Sequence, residues 1–254
     1  MGLPRKSTQT PAHHIKIERM CSHYTAIKNR ELYYRRFGVY PPAHDYVQDM
    51  WPRYMGAFIR RPPELESGDE AVPALESVLG RWGLVPFATK DAVKQLKLST
   101  FNARSETAAK SFTFGSAWRR GQRCIIPAEA IFEPDWRSGR HVPTRISRAD
   151  GGPLGLAGLW DSWNSPEGPL LSFTMLTVNA DGHEFMCNYH RPGEEKRMVV
   201  LLRESEYDAW LDAPPEATQD FMRACAPGEL MASVPEPTPK PTPAPSEPEE
   251  PKLF

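Results

Sequence analysis

The chain has 254 residues, enough for one large domain or two small ones, and its 40% hydrophobic and 10% aromatic content lets most of it bury a core. A formal net charge of −1 gives no overall bias towards polyanions. No apolar run reaches the roughly 18 residues needed to span a bilayer, and residues 1–19 lack the apolar middle of a secretory signal, so a cytoplasmic protein is expected.

In chain order, residues 1–19 read as a flexible extension. Apolar residues at helical spacing predict a helix over 26–37. Strand-like stretches follow at 54–61, 77–85, 123–126, 130–133, 142–147, 154–160, 171–178 and 198–202. Ser105 is suited to cap a helix running towards Trp118, and further helices are expected over 204–211 and 215–224, the latter with proline in its first turn. Residues 235–254 hold eight of the 27 prolines, largely in alternation, which favours an extended tail without a packed core. The layout is therefore one folded domain over 20–234. Strands joined by short turns with helices at the edges imply α+β, with no internal repeat and no repeating βαβ order.

Charge is uneven along the chain. Lys90, Lys94, Lys97, Arg104, Lys110, Arg119, Arg120 and Arg123 stand against only Asp91 and Glu106, a local excess compatible with either a phosphate-facing strip or an ordinary solvated surface. The four cysteines, Cys21, Cys124, Cys187 and Cys225, are widely spaced without a CxxC pair. That pattern supports neither a zinc site nor a thioredoxin-type motif, so free thiols, no metal and no cofactor are expected.

Four polar stretches interrupt apolar context: 20–24 around Cys21, 101–107 around Asn102 at an expected loop-to-helix junction, 131–136 around Glu133, and 189–192 around His190. A thiol, an amide, a carboxylate and an imidazole form a coherent reactive set. Each also has an ordinary reading. Cys21 would serve as a small core residue, Asn102 as a turn residue, Glu133 as a surface partner of Arg119 or Arg137, and His190 as an exposed loop histidine.

Taken together, the blocks resemble the SRAP family, the SOS-response-associated peptidase domains. The resemblance rests on Met20-Cys21, Trp82-Gly83-Leu84-Val85-Pro86, Asn102-Ala103-Arg104-Ser105-Glu106-Thr107, Cys124-Ile125-Ile126-Pro127-Ala128 leading to Phe132-Glu133, and His190 before Arg197-Met198. It covers about residues 20–202. It implies a single α+β domain with a mainly antiparallel, barrel-like sheet, acting as a monomer on abasic sites in single-stranded DNA.

The implied chemistry is a thiazolidine crosslink between an N-terminal cysteine and the abasic aldehyde. Cys21 would supply amine and thiol after removal of Met20, Asn102 would position the reacting groups, Glu133 and His190 would handle protons, and Thr177 would lend a supporting hydroxyl. Arg104 and Lys110 would meet phosphates, with Trp82 and Phe87 as an apolar platform for bases or sugar. Weak lyase and self-cleaving peptidase activities are further implications.

The chain departs from the family pattern at three points. Residues precede Met20, and while they remain attached residue 21 has an amide instead of an amine; translation starting at Met20 or later removal of 1–19 would each resolve this. The segment from His190 to Met198 is longer than the family's compact His-x-Arg-Met form, leaving His183 as an alternative histidine. Phe112 stands where a phosphate-binding arginine is common, and Phe87-Ala88 replaces a tryptophan. Two other readings stay open: a thiol peptidase using Cys21 and His190, and a nucleic-acid-binding module without catalysis.

Overall fold

A computed structural model describes residues 21–233; the expected extension at 1–19 and the proline-rich tail at 235–254 lie outside them. In chain order the strands are β1 (Tyr24–Ala26), β2 (Asp49–Met50), β3 (Met55–Arg60), β4 (Glu76–Trp82), β5 (Asn102–Arg104), β6 (Arg123–Asp135), β7 (Val142–Arg148), β8 (Leu154–Ser165), β9 (Gly168–Asn179), β10 (Arg197–Val199), β11 (Leu201–Leu202) and β12 (Leu230–Ser233). The helices are short: α1 (Arg30–Phe37), α2 (Ala92–Gln95), α3 (Ser105–Ala108), α4 (Gly115–Arg119) and α5 (Tyr207–Leu211).

The α+β expectation is met, and the sheet closes on itself. Strand β3 pairs β4, β4 runs parallel to β9, β9 pairs β8, β8 pairs β6, and β6 returns to β3 through Ile59 and Ile125, giving a five-stranded mixed barrel. Closure removes the exposed strand edges that an open sheet must protect. Gly158 shows how tight the interior is: a Cβ there would lie 2.6 Å from the Thr174 carbonyl oxygen and would also clash with Ile126 Cδ1. Helix α5 covers the outside, where Trp210 Nε1–H donates to the Cys124 carbonyl at 2.9 Å. Cover on both faces explains why β6 and β8 are buried almost continuously over their first six residues instead of alternating.

Several boundaries differ from the sequence expectation. The two strands expected at 123–126 and 130–133 are one thirteen-residue strand, β6, that runs through Pro127. On one edge β6 changes partner from β3 at Ile125 to β1 from Ala128, with an irregular register at Thr25/Ala26, so Pro127 falls where that ladder is already interrupted. The stretch expected as one strand at 198–202 is two, because Arg197–Val199 pairs with β9 while Leu201–Leu202 pairs with β8. The helix expected from 26 begins only at Arg30, where the Asn29 side chain accepts from the Leu32 N–H. Residues 105–118 form two short helices, with Ser105 as the first helical residue of α3 and no side-chain cap on it. Phe101–Arg104 was expected as a loop; Asn102–Arg104 is instead strand β5, parallel to β9.

Candidate active site

Three pairings bring distant segments to one end of the barrel. The second half of β6 pairs with β1, Tyr24 opposite Ile131 and Thr25 opposite Ala130, and the Phe132 N–H donates to the His23 carbonyl at 2.9 Å. This sets Cys21 beside Phe132 and Glu133. On β9, strand β5 flanks one edge with Arg104 opposite Thr177, and β10 flanks the other with Val199 opposite Thr177. Finally, Asp135 bridges Tyr189, and the His190 N–H donates to the Pro134 carbonyl at 2.9 Å, which lays His190 over Glu133.

Cys21, Asn102, Glu133 and His190 are all buried. The Asn102 amide donates from Nδ2 to the Cys21 carbonyl at 2.8 Å, and its Oδ1 is buried with no hydrogen-bond partner among the described residues. A buried acceptor left unpaired costs about 1–3 kcal/mol. The Cys21 thiol faces the His23 carbonyl at 3.6 Å. Burial pushes its pKa well above the ordinary thiol value, and the negative charge of Glu133 pushes the same way.

His190 Nε2 lies 2.8 Å from Glu133 Oε2, with both side chains almost wholly inaccessible. On the other side of the ring, Nδ1 accepts from the Arg197 backbone N–H at 3.4 Å. With Nδ1 as acceptor, the ring hydrogen sits on Nε2 and is donated to the carboxylate. His190 also has φ +64, left-handed backbone that is uncommon outside glycine. The Pro134 contact and a bond from Lys196 Nζ to the His190 carbonyl at 3.2 Å hold it there. Such strain at a buried, paired imidazole is characteristic of functional sites.

The alternative histidine is placed elsewhere. His183 Nε2 donates to the Cys225 carbonyl at 2.8 Å and its Nδ1 accepts the Phe185 and Met186 N–H groups, a structural role in closing the turn at 183–188. Thr177 is buried near the site; its Oγ1 accepts from Arg197 at 3.1 Å and its carbonyl accepts from the same guanidinium at 2.8 Å.

The residues expected to touch DNA divide. Trp82 is fully buried, its Nε1–H donating to the Phe101 carbonyl and its ring edge-on to Tyr24, so it presents no face to a ligand and is a core tryptophan. Phe87 is exposed, with the Arg120 guanidinium 4.4 Å above its ring. Lys110 is exposed, as is Phe112. Arg104 is half-buried and paired to Glu195 at 2.5 Å. The basic run also breaks up: Arg120 forks onto the buried Asp161, while Arg123 is buried against Trp210, its pKa lowered to about 10 by burial.

Sequence reasoning missed two features. Arg197, buried, forks onto both oxygens of Glu106 at 2.8 and 2.9 Å and reaches Glu195 at 2.8 Å, tying α3 to β9 and β10. His23 stacks between Trp51 and Phe132. Both Arg197 and Glu106 lie inside quoted motifs, and their opposite charges were the available signal. Nothing in the sequence pairs His23 with Trp51. Among the described residues no cluster of three or more His, Cys, Asp or Glu side chains could hold a metal.

The fold and site together define a closed mixed β-barrel with a cysteine, an amide and a His–Glu pair converging at one end. The model of the SOS response associated peptidase (SRAP) family matches residues 20–235, and the chain belongs to that family. It is 32% identical over 148 residues to the abasic site processing protein YoqW of Bacillus subtilis, a match covering 57% of this chain and 60% of that protein. It is 26% identical over 190 residues to the abasic site processing protein HMCES of Gallus gallus, covering 66% of this chain and 55% of the relative. The matched region thus spans less than two thirds of either relative. A crystal structure of a Bordetella bronchiseptica protein superposes with a TM-score of 0.79 at 48% identity, over 85% of this chain and all of that one. Another from Bacteroides thetaiotaomicron, with a TM-score of 0.67 and 20% identity over 84% of this chain and 91% of that one, shares the fold.

Proposed function

We propose that this chain processes abasic sites by capturing their aldehyde in single-stranded DNA as a thiazolidine on Cys21, with residue 21 as the mature N-terminus. The observation that carries this reading is the convergence of Cys21, Asn102 and the Glu133–His190 pair in one buried cluster. The relatives' names as abasic site processing proteins support the same class of substrate.

A free α-amine with a pKa of about 7.7–8.0 is partly neutral at physiological pH and attacks the open aldehyde. Loss of water from the carbinolamine gives the imine. The thiol then adds across the C=N bond, sulfur to carbon and proton to nitrogen, so the net change is the loss of one water. Only an N-terminal cysteine carries both groups two carbons apart. Glu133 and His190 pass protons during sugar opening and dehydration. Asn102 holds the Cys21 backbone through Nδ2, and its open Oδ1 is suited to receive the amine or a sugar hydroxyl. The same imine permits loss of the C2′ proton with expulsion of the 3′ phosphate, a weak lyase reaction.

Arg104 and Lys110 serve as phosphate contacts and Phe87 as an apolar one. The protein works as a DNA-associated monomer in the cytoplasm, built as one domain over 20–234 between two extensions. The thiol-peptidase reading has less support, because Nε2 of His190 is taken by Glu133 and a peptidase nucleophile needs a low, not a raised, thiol pKa. Protein translated from Met20, mixed with an abasic single-stranded oligonucleotide, is expected to give a covalent band on a denaturing gel that Cys21→Ala abolishes. An equally strong band from the alanine variant, or none from the parent, overturns the proposal.

A further inference from the structure

Directly beside Cys21, three rings form a column. Phe132 stacks on His23 with centroids 4.0 Å apart and planes within 12°, and His23 stacks on Trp51 at 4.2 Å and 7°. These spacings and angles are those of stacked aromatic planes. The bottom of the column abuts the reactive site, since Phe132 precedes Glu133 and its backbone N–H donates to the His23 carbonyl that the Cys21 thiol also faces. The top ends in water: Trp51 is 45% exposed although it covers His23. Asp49, on the same strand as Met50, fixes the orientation of the His23 ring through Nε2 at 3.3 Å.

The turn that carries Trp51 is costly in its own right. The Tyr54 N–H closes back on the Trp51 carbonyl at 3.0 Å around Pro52 and Arg53, and Arg53 has φ +78. Proline second and a left-handed residue third is the pattern of a type II turn, where glycine would be the unstrained choice. Arginine there puts an exposed cation next to an exposed indole, within a segment that also exposes Tyr54 and Met55. An aromatic face with an adjacent cation is the combination that holds unpaired bases and their phosphates.

We propose that Trp51, stacked on His23 and Phe132, is the platform for the base next to the abasic sugar, continuing the column by one more ring. The inference rests on the abasic-site reading and deepens it by naming what lies beside the missing base. Trp51 is a positioning residue: stacking the neighbouring base fixes the strand so that the sugar reaches Cys21. A base lying on the indole needs to be unpaired and accessible on one face, which favours single strands over duplex.

The test uses the protein translated from Met20 and equilibrium binding, so that no covalent step is needed. Fluorescence anisotropy is measured on a single-stranded oligonucleotide with one tetrahydrofuran abasic analogue, and on versions in which the 5′ or the 3′ neighbouring base is also replaced by tetrahydrofuran. For the parent, this Met20-start protein, removing one of the two neighbouring bases is expected to weaken binding by about tenfold, the scale of one stacking contact. Trp51→Ala and Trp51→Leu should lose that factor on the intact strand and show no further loss on the stripped one, while Trp51→Phe keeps most of it. Thermal melting of each variant checks folding, and Leu retains an apolar cover for His23. If the parent binds equally with and without both neighbours, or if the variants keep the parent's ratio, the platform is refuted. If the parent crosslinks abasic DNA but shows no such ratio, the platform alone falls; absence of any DNA binding removes the underlying reading as well.

Discussion

His190 and Glu133 are joined by a 2.8 Å hydrogen bond in the buried end of the barrel, and the Arg197 N–H fixes which imidazole nitrogen makes it. The pair joins β6 to the loop after β9 at the site, so its members should act as a unit. Glu133→Gln and His190→Ala are each expected to slow crosslinking to abasic single-stranded DNA by about a hundredfold or more, the range of positioned acid–base groups. The double variant should be no slower than the worse single one. Single-turnover gels on all three would show this; rates that multiply would mean that the two residues work in separate steps.

The position of Glu133 has a second consequence, for the Cys21 thiol. Burial and then the carboxylate's charge raise the thiol pKa, so at a given pH less thiolate is present than in an ordinary cysteine. Removing the charge lowers the pKa and raises the thiolate fraction. Iodoacetamide labelling followed by peptide mass spectrometry should find exposed Cys187 fast and buried Cys21 and Cys124 slow. Glu133→Gln should accelerate Cys21 several-fold. Cys124 is equally buried, but Glu133 is not among the causes of its raised pKa, so it reports any general loosening. Equal acceleration of both thiols would assign the effect to structure instead of charge.

Much of this was legible in residue order. The long apolar runs of β8 and β9 and the polar interruptions around Cys21, Asn102, Glu133 and His190 are local features, and local features survive without coordinates. What the sequence hid is non-local. Pro127 looked like a strand end because its cost depends on which neighbour β6 pairs with at that residue. Trp82 looked like a platform because residue type says nothing about which side of a strand faces the core. Arg120 and Arg123 looked like a phosphate strip, yet one folds onto Asp161 and the other onto Trp210. His23 and Trp51 are 28 positions apart, and only the β1–β2 pairing brings their rings together.

The carboxylates around Arg197 predict how the fold responds to acid. The Arg197 fork holds Glu106 below the usual carboxylate range against the opposing effect of burial. Burial works to raise Glu195 too, but Arg104, Arg197 and Asn179 outweigh it and leave its pKa at about 2. A carboxylate depressed in the folded state binds protons more readily when unfolded. Its contribution is therefore fully present above the unfolded value of about 4.3 and is lost as pH falls through the folded value. Urea unfolding from about pH 7 down to about pH 2.5 should show the parent's stability falling steadily below about pH 5, and Glu195→Gln should lower stability at neutral pH, change little in acid and so make that fall shallower. A variant with the parent's acid slope would show that Glu195 contributes nothing to it.

Glu195 also occupies Arg104 in the unbound protein, through a contact of 2.5 Å between Oε2 and Nη1. Arg104 is proposed to grip a DNA phosphate, and a carboxylate already on its guanidinium is a competitor for that role. Glu195 lies in the lengthened stretch between His190 and Met198, so the competitor comes from the part of the chain that departs from the compact family pattern. Freeing the guanidinium should therefore strengthen binding. Glu195→Gln is expected to raise affinity for abasic single-stranded DNA by about three- to tenfold at low salt, with the gain shrinking as salt screens the added charge. Arg104→Ala should weaken binding and lower the salt slope by about one contact. In the Arg104→Ala background, Glu195→Gln should give only the smaller gain due to lost long-range repulsion. The full gain persisting without Arg104 would mean that Glu195 opposes DNA through its charge alone, and not by holding the arginine.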